Sequence, residues 1–223
     1  MRYDLAMREE GYHSAFLTTF SFSANVFEDI TLPYLQGAGC RNIVVLSDTR
    51  MTNRDFQEIG PPHLAGYSYH HAKREVSGAF HPKISLQLGE TTGRLMIGSA
   101  NLTSAGLVGN LEVVTTFNVT ANDIWAAPLF AAALQYFRQH SDPADTAMER
   151  ALVRALARTP WLKDVPPLTQ VRDPEGRLHA LLTEAAESSI AETLRDLIGV
   201  DVIERLVVVS PFWERRQGNL RSG

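Results

Sequence analysis

The sequence predicts an α/β fold: a mixed, mainly parallel sheet flanked by helices, followed by a C-terminal helical extension. Three observations carry this. First, Ala15 to Phe20 (AFLTTF) is a β-branched and aromatic strand, and apolar residues at helical spacing follow it (Val26, Phe27, Ile30, Tyr34). Second, Asn42 to Ser47 (NIVVLS) is a short apolar run of the kind buried on both faces of a sheet. Third, from about residue 123 the chain turns Ala- and Leu-rich with helical periodicity. The strand–helix–strand opening points to a βαβ unit and a mainly parallel sheet.

The remaining elements follow in order. Gly37 and Gly39 end the first helix, and Asp48 to Glu58 is polar enough for a short second one, broken by Gly60-Pro61-Pro62. Strands are expected at 66–70, 80–88, 94–97 and 111–117, with a hairpin turn over Gly89 to Gly93 and a loop from Gly98 to Asn110. Helices are expected at 123–140, 143–158 and 176–198, separated by a proline-rich segment at 159–174. Arg205 to Ser210 (RLVVVS) reads as one further buried strand. The expected organisation is a lobe over 1–140, a helical linker region over 141–201, and the start of another unit over 202–223.

Composition narrows the function classes. At 44% hydrophobic and 21% charged, a chain of 223 residues has enough apolar content for a core. The net charge of −4, with no strongly basic stretch, is unlike a pure high-affinity nucleic-acid binder. It leaves room for an enzyme that grips one phosphate with a few placed side chains. The single cysteine, Cys40, excludes an internal disulfide, and its place after Gly39 suits a buried thiol. No apolar secretory core opens the chain, and the longest apolar stretch, near 124–134, is too short to span a bilayer. The expected setting is therefore cytoplasmic, without stable membrane insertion. His70-His71 is not read as a metal pair, because neighbours on a strand face opposite ways.

The chemistry concentrates between residues 81 and 112. His81 and Lys83 sit two apart on an expected strand, on one face. A Gly98-Ser99-Ala100-Asn101 turn follows the next strand, and Glu112 opens the strand after that. An imidazole beside a carboxylate serves as nucleophile or general acid–base. An ammonium beside an amide donor suits the non-bridging oxygens of a phosphate.

This constellation resembles the phospholipase D superfamily. His81-Pro82-Lys83 matches the family's HxK motif, Gly98-Ser99-Ala100-Asn101 its GSxN element, and Glu112 the acidic residue that follows. The similarity runs over roughly residues 13–120 and is to bacterial nuclease-like members. One position departs: the Asp that the fuller motif places five residues after the Lys is Leu88 here. That Asp is mainly structural in the family, and its loss points away from a strict phospholipase.

The resemblance implies a metal-independent phosphodiesterase, with no cofactor, whose expected substrate class in the nuclease-like branch is nucleic acid. In it, His81 is nucleophile or general acid–base, Lys83 and Asn101 bind the phosphate, Ser99 assists by hydrogen bonding, and Glu112 orients His81. Such chemistry passes through a phosphohistidine and calls for two HxK sets, whereas this chain holds one. The second would come from a homodimer or from a missing lobe. Leu206 to Trp213 (LVVVSPFW) is comparable with Phe16 to Phe22 (FLTTFSF), yet only 17 residues follow Leu206, against about 60 between Phe22 and His81. The sequence therefore reads as an N-terminal lobe, a linker and the first strand of another. The competing expectations are a phospholipid hydrolase or transferase, and a catalytically incomplete scaffold module.

Overall fold

The computed structural model describes residues 6–181 and 190–199. They fall into two units, 1–181 and 182–223. In the first, six strands form one sheet in the order β3-β2-β1-β4-β5-β6. These are β1 (Ser14–Thr19), β2 (Asn42–Asp48), β3 (His70–Arg74), β4 (Ile84–Leu88), β5 (Thr92–Gly98) and β6 (Val114–Thr120). β1, β2 and β3 pair in parallel, while β4, β5 and β6 add on antiparallel. Strands β1, β2, β3 and β5 thus run one way and β4 and β6 the other, so the sheet is mixed and mainly of one direction.

Alternation along the strands sorts the core into two layers. Ala15, Leu17, Ile43 and Val45 face one side, where they pack with Phe27, Leu32 and Leu35 of α1. That helix runs in three successive turns, Ala24–Val26, a π-type Phe27–Thr31 and Leu32–Gly37. Phe16, Val44, Leu46, Leu86 and Leu95 face the other side. There they meet Phe130 and Phe137 of α3 (Ala127–His140) and Met148 and Leu152 of α4 (Thr146–Ala157). The remaining helix of this unit, α2 (Thr49–Glu58), starts at Asp48, whose carboxylate accepts from the amides of Arg50 and Met51.

The expected boundary at residue 140 does not end the compact unit. Helix α4 is no linker: its Ala151 carbonyl accepts from Asn42 Nδ2 at 2.8 Å, and His13 Nε2 lies 2.9 Å from the Arg158 carbonyl. Beyond it, Trp161 Nε1 donates to the Gly89 carbonyl at 3.1 Å and its ring lies over Gly93. A Cβ at Gly93 would stand 2.7 Å from Trp161, so glycine is what lets the indole close on the hairpin.

The expected helix over 176–198 is corrected in its first part. Leu178–Ala180 is β8, paired antiparallel with β7 (Gln170–Arg172). Asp173 closes that hairpin, accepting from the Arg177 amide and guanidinium, while Gly176 supplies a positive φ at the turn. The second unit contains α5 (Ile190–Ile198). The expected strand at 205–210, and with it the start of another unit, lies outside the described residues. Among the described residues no helix is long and apolar enough to cross a membrane.

Candidate active site

The C-terminal ends of β1, β2 and β5 and the N-terminal ends of β4 and β6 lie along one edge of the sheet. His81 and Lys83 stand at that edge. They precede β4 rather than lying in it, because Pro82 has no N–H for a ladder and pairing starts at Ile84. The Ile84 amide donates to Thr18 Oγ1 at 2.8 Å, and the Phe80 amide to the Asp48 carboxylate at 2.9 Å. The motif is therefore pinned at both ends, to β1 and to the end of β2.

Lys83 is only 6% exposed. Its Nζ lies 2.7 Å from Nδ1 and 3.1 Å from Nε2 of His81, and donates to the His81 carbonyl at 2.9 Å. Burial pushes the ammonium down to about 8, against an opposing pull from the Glu112 carboxylate. His81 is exposed at its surface, yet its pKa is also lowered, by partial burial first and by the Lys83 charge second, with Asp48 opposing. The result is a neutral imidazole held against a cation. Phe20, at the end of β1, lies over both: its ring centroid is 4.5 Å from that of His81 and 5.8 Å from Lys83 Nζ.

Asn101 reaches the same edge through the loop after β5. Its Oδ1 accepts from Thr19 Oγ1 and from the amides of Phe20 and Ser21, at 3.2–3.3 Å. The carboxamide oxygen thus fixes the chain after β1, which fixes the amide's orientation in turn. A π-type turn, Ala105–Gly109, packs beneath it. A Cβ at Gly106 would fall 2.3 Å from the Asn101 carbonyl oxygen and 2.7 Å from its nitrogen. Gly106→Ala is accordingly expected to cost about 1–3 kcal/mol in a denaturant titration and to displace Asn101. An unchanged midpoint would show that the loop yields freely.

Ser99 and Glu112 form a separate pair. Ser99 Oγ donates to the Glu112 carboxylate and accepts from the Val113 amide, and Asn110 Nδ2 approaches the other carboxylate oxygen. The expectation that Glu112 orients His81 is not met within one chain. Among the described residues the ring nitrogens of His81 meet Lys83, while the Glu112 carboxylate accepts from Ser99 and Asn110. Glu112 acts instead on Ser99 by hydrogen bonding and on Lys83 through its charge.

Sequence reasoning missed Phe20, Asp48 and Asp55. Asp55 accepts from Ser21 Oγ and from the Phe22 amide, holding the segment after β1 from below. The available signal was positional: these residues end the first strand or follow the second, where parallel strands present their sites. His70 and His71 take separate partners, Asp145 at 2.6 Å and Ser47 at 2.8 Å, and burial pushes His71 down to about 4. Cys40 is fully buried, and burial pushes its thiol up to about 12.

No protein-family model and no curated protein matches the chain. Among solved structures it is similar to a phospholipase D family member, Nuc from Salmonella typhimurium, with 17% identity and a TM-score of 0.46 over 61% of this chain and 83% of that one. NucT from Helicobacter pylori aligns with 13% identity and a TM-score of 0.43 over 61% and 84%. A variant of yeast tyrosyl-DNA phosphodiesterase 1 aligns with 13% identity and a TM-score of 0.45, over 67% of this chain and 36% of that one.

Proposed function

We propose that this chain is a phosphodiesterase of the phospholipase D superfamily that acts on nucleic acid, its reaction completed by a second His81 set. The observation that carries the reading is the His81–Lys83 contact, a neutral imidazole 2.7 Å from a buried ammonium at the open edge of the sheet. A neutral ring nitrogen has the lone pair that attack on phosphorus requires. The ammonium and the Asn101 amide are donors for the non-bridging oxygens, where charge builds in the transition state.

The reaction then runs in two steps. One His81 nitrogen bonds to phosphorus as the P–O bond to the leaving group breaks. The second imidazole, protonated, delivers its proton to the departing oxygen. That imidazole next takes a proton from water, whose oxygen attacks phosphorus and breaks the P–N bond. Both histidines return to their starting states. The fixed cations perform the charge stabilisation, so the reading calls for no metal in either step.

One set cannot perform both roles at once, and the surface beside it suits a second copy. Leu111 is 100% exposed and Val113 61%, immediately flanking Glu112 in the segment that leads into edge strand β6. An exposed apolar stretch next to an incomplete site fits a two-fold contact that brings two sets together.

The test is cleavage of bis-p-nitrophenyl phosphate, DNA and RNA in the presence of EDTA, with molar mass measured on the same sample. Turnover by a dimer, lost together with the dimer in Leu111→Asp, is the expected result. A folded dimer that cleaves none of the three overturns the reading. So does release of headgroup from phospholipid vesicles without cleavage of DNA or RNA.

A further inference from the structure

At the opposite end of β2 from His81 lies an open pocket of about 270 Å3. Arg41, Arg150 and Arg154 line it, with Tyr67 and His70, and no carboxylate is among the lining residues. The acids nearest in sequence are committed elsewhere. Asp145 holds His70 at 2.6 Å and caps α4, and Glu149 pairs with Arg138. Among the described residues neither Arg150 nor Arg154 has an acidic partner. Two like charges at i and i+4 on one helix weaken it, and a third guanidinium, Arg41, lines the same pocket. Arg41 is not a loose side chain, since its Nη1 donates to the carbonyls of Gln36 and Cys40 at 2.7 and 3.0 Å.

An aromatic ring completes the pocket. Tyr67 is 91% exposed, yet its backbone is fixed. The Tyr67 and Ser68 amides both donate to the Leu64 carbonyl, and the Gly66 amide to the Tyr69 carbonyl. Gly66 takes a positive φ to make that turn. A large ring presented to solvent on a braced turn, beside three unneutralised guanidiniums, matches a ligand with a planar ring and a phosphate.

We propose that this pocket binds a phosphomonoester carried on a nucleoside, one nucleotide in size. Guanidiniums recognise a phosphate by paired N–H···O bonds, and Tyr67 supplies a face on which a base stacks. The volume suits a single nucleotide and excludes a duplex. β2 spans seven residues, or about 20 Å, between this pocket and the His81 edge. One phosphate cannot touch both, so the pocket is a second site, independent of the proposed catalytic one. Its nucleotide is either free or the phosphorylated end of a strand.

Calorimetric titration of the full chain with AMP, inorganic phosphate and short oligonucleotides with and without a 5′-phosphate tests this. AMP is expected to bind more tightly than inorganic phosphate. The pair Arg150→Gln and Arg154→Gln should weaken AMP roughly tenfold or more. Tyr67→Ala should weaken AMP several-fold and leave inorganic phosphate unchanged. Binding of the 5′-phosphorylated oligonucleotide identifies a strand end, and binding of AMP alone identifies a free nucleotide. All three residues are exposed, so far-UV circular dichroism should show intact folds. Equal binding of AMP and inorganic phosphate, unmoved by Tyr67→Ala, overturns the proposal. No AMP binding by the folded wild type, or binding abolished by His81→Asn, overturns it too.

Discussion

His81→Asn is expected to lower turnover of bis-p-nitrophenyl phosphate by about a thousandfold or more, with little change in thermal midpoint. The imidazole is exposed, and among the described residues its ring nitrogens meet Lys83. The Lys83 ammonium keeps its bond to the residue-81 carbonyl whichever side chain stands there. Loss of activity would therefore report chemistry and not collapse of the edge. The same variant tests the need for two copies. If two His81 rings act on one phosphate, mixing wild-type chain with excess His81→Asn chain should draw wild-type subunits into dead pairs. Activity should then fall with the square of the wild-type fraction. A linear fall would mean that each chain works alone, and activity within tenfold of wild type in the pure variant would sink the nucleophile assignment.

Much of the fold could be read from local pattern. β1 was placed by its β-branched and aromatic residues and β2 by its short apolar run, and both are buried on both faces. The strand expected at 66–70 lies at 70–74 instead, because residues 64–69 are taken up by the turn that carries Tyr67. Its polar sequence, HHAKR, has no β signal of its own and is strand only through pairing with β2. Helix α4 was visible from its apolar stripe. Its role was not, because whether a helix links or packs depends on contacts such as Asn42 to Ala151, over a hundred residues apart.

The site divides in the same way. His81, Lys83, Ser99, Asn101 and Glu112 carry motif signals, and the fold brings all five to one sheet edge. The pairing inside the set was not legible. Sequence spacing says that Glu112 follows the loop, but the path of the chain into β6 decides that it meets Ser99, whose Oγ also accepts from the Val113 amide. Phe20 and Asp48 belong to no motif. They reach the site because β1 and β2 end there, which only the sheet order reveals.

The largest remaining effect is expected at Lys83, where activity and stability should move in opposite directions. The proposed chemistry requires the ammonium, and burial holds its pKa at about 8 instead of the ordinary 10.5. In kcat/KM, activity should fall as pH rises through about 8. Around the lowered His81 pKa it should form a bell, because one His81 must be neutral to attack and the second must be protonated to release the leaving oxygen, and the Lys83 limb near 8 adds to its alkaline side. A bound phosphate would favour the ammonium, so the alkaline limb in kcat should lie higher than in kcat/KM. Stability follows from the same shift. Between about 8 and 10.5 the unfolded chain binds more protons at this lysine than the folded one, so stability should rise with pH across that window. Below about 8 the burden of the buried charge is fully present. Lys83→Met should therefore be more stable than wild type at pH 7, on the order of 1–3 kcal/mol in a urea titration. It should also be nearly inactive at every pH. Lys83→Arg, whose guanidinium stays charged, should lose the alkaline limb near 8 while keeping part of the activity. A Lys83→Met chain that is less stable than wild type would mean that the contacts to His81 outweigh the cost of burying the charge. An alkaline limb unchanged in Lys83→Arg would assign that limb to another group.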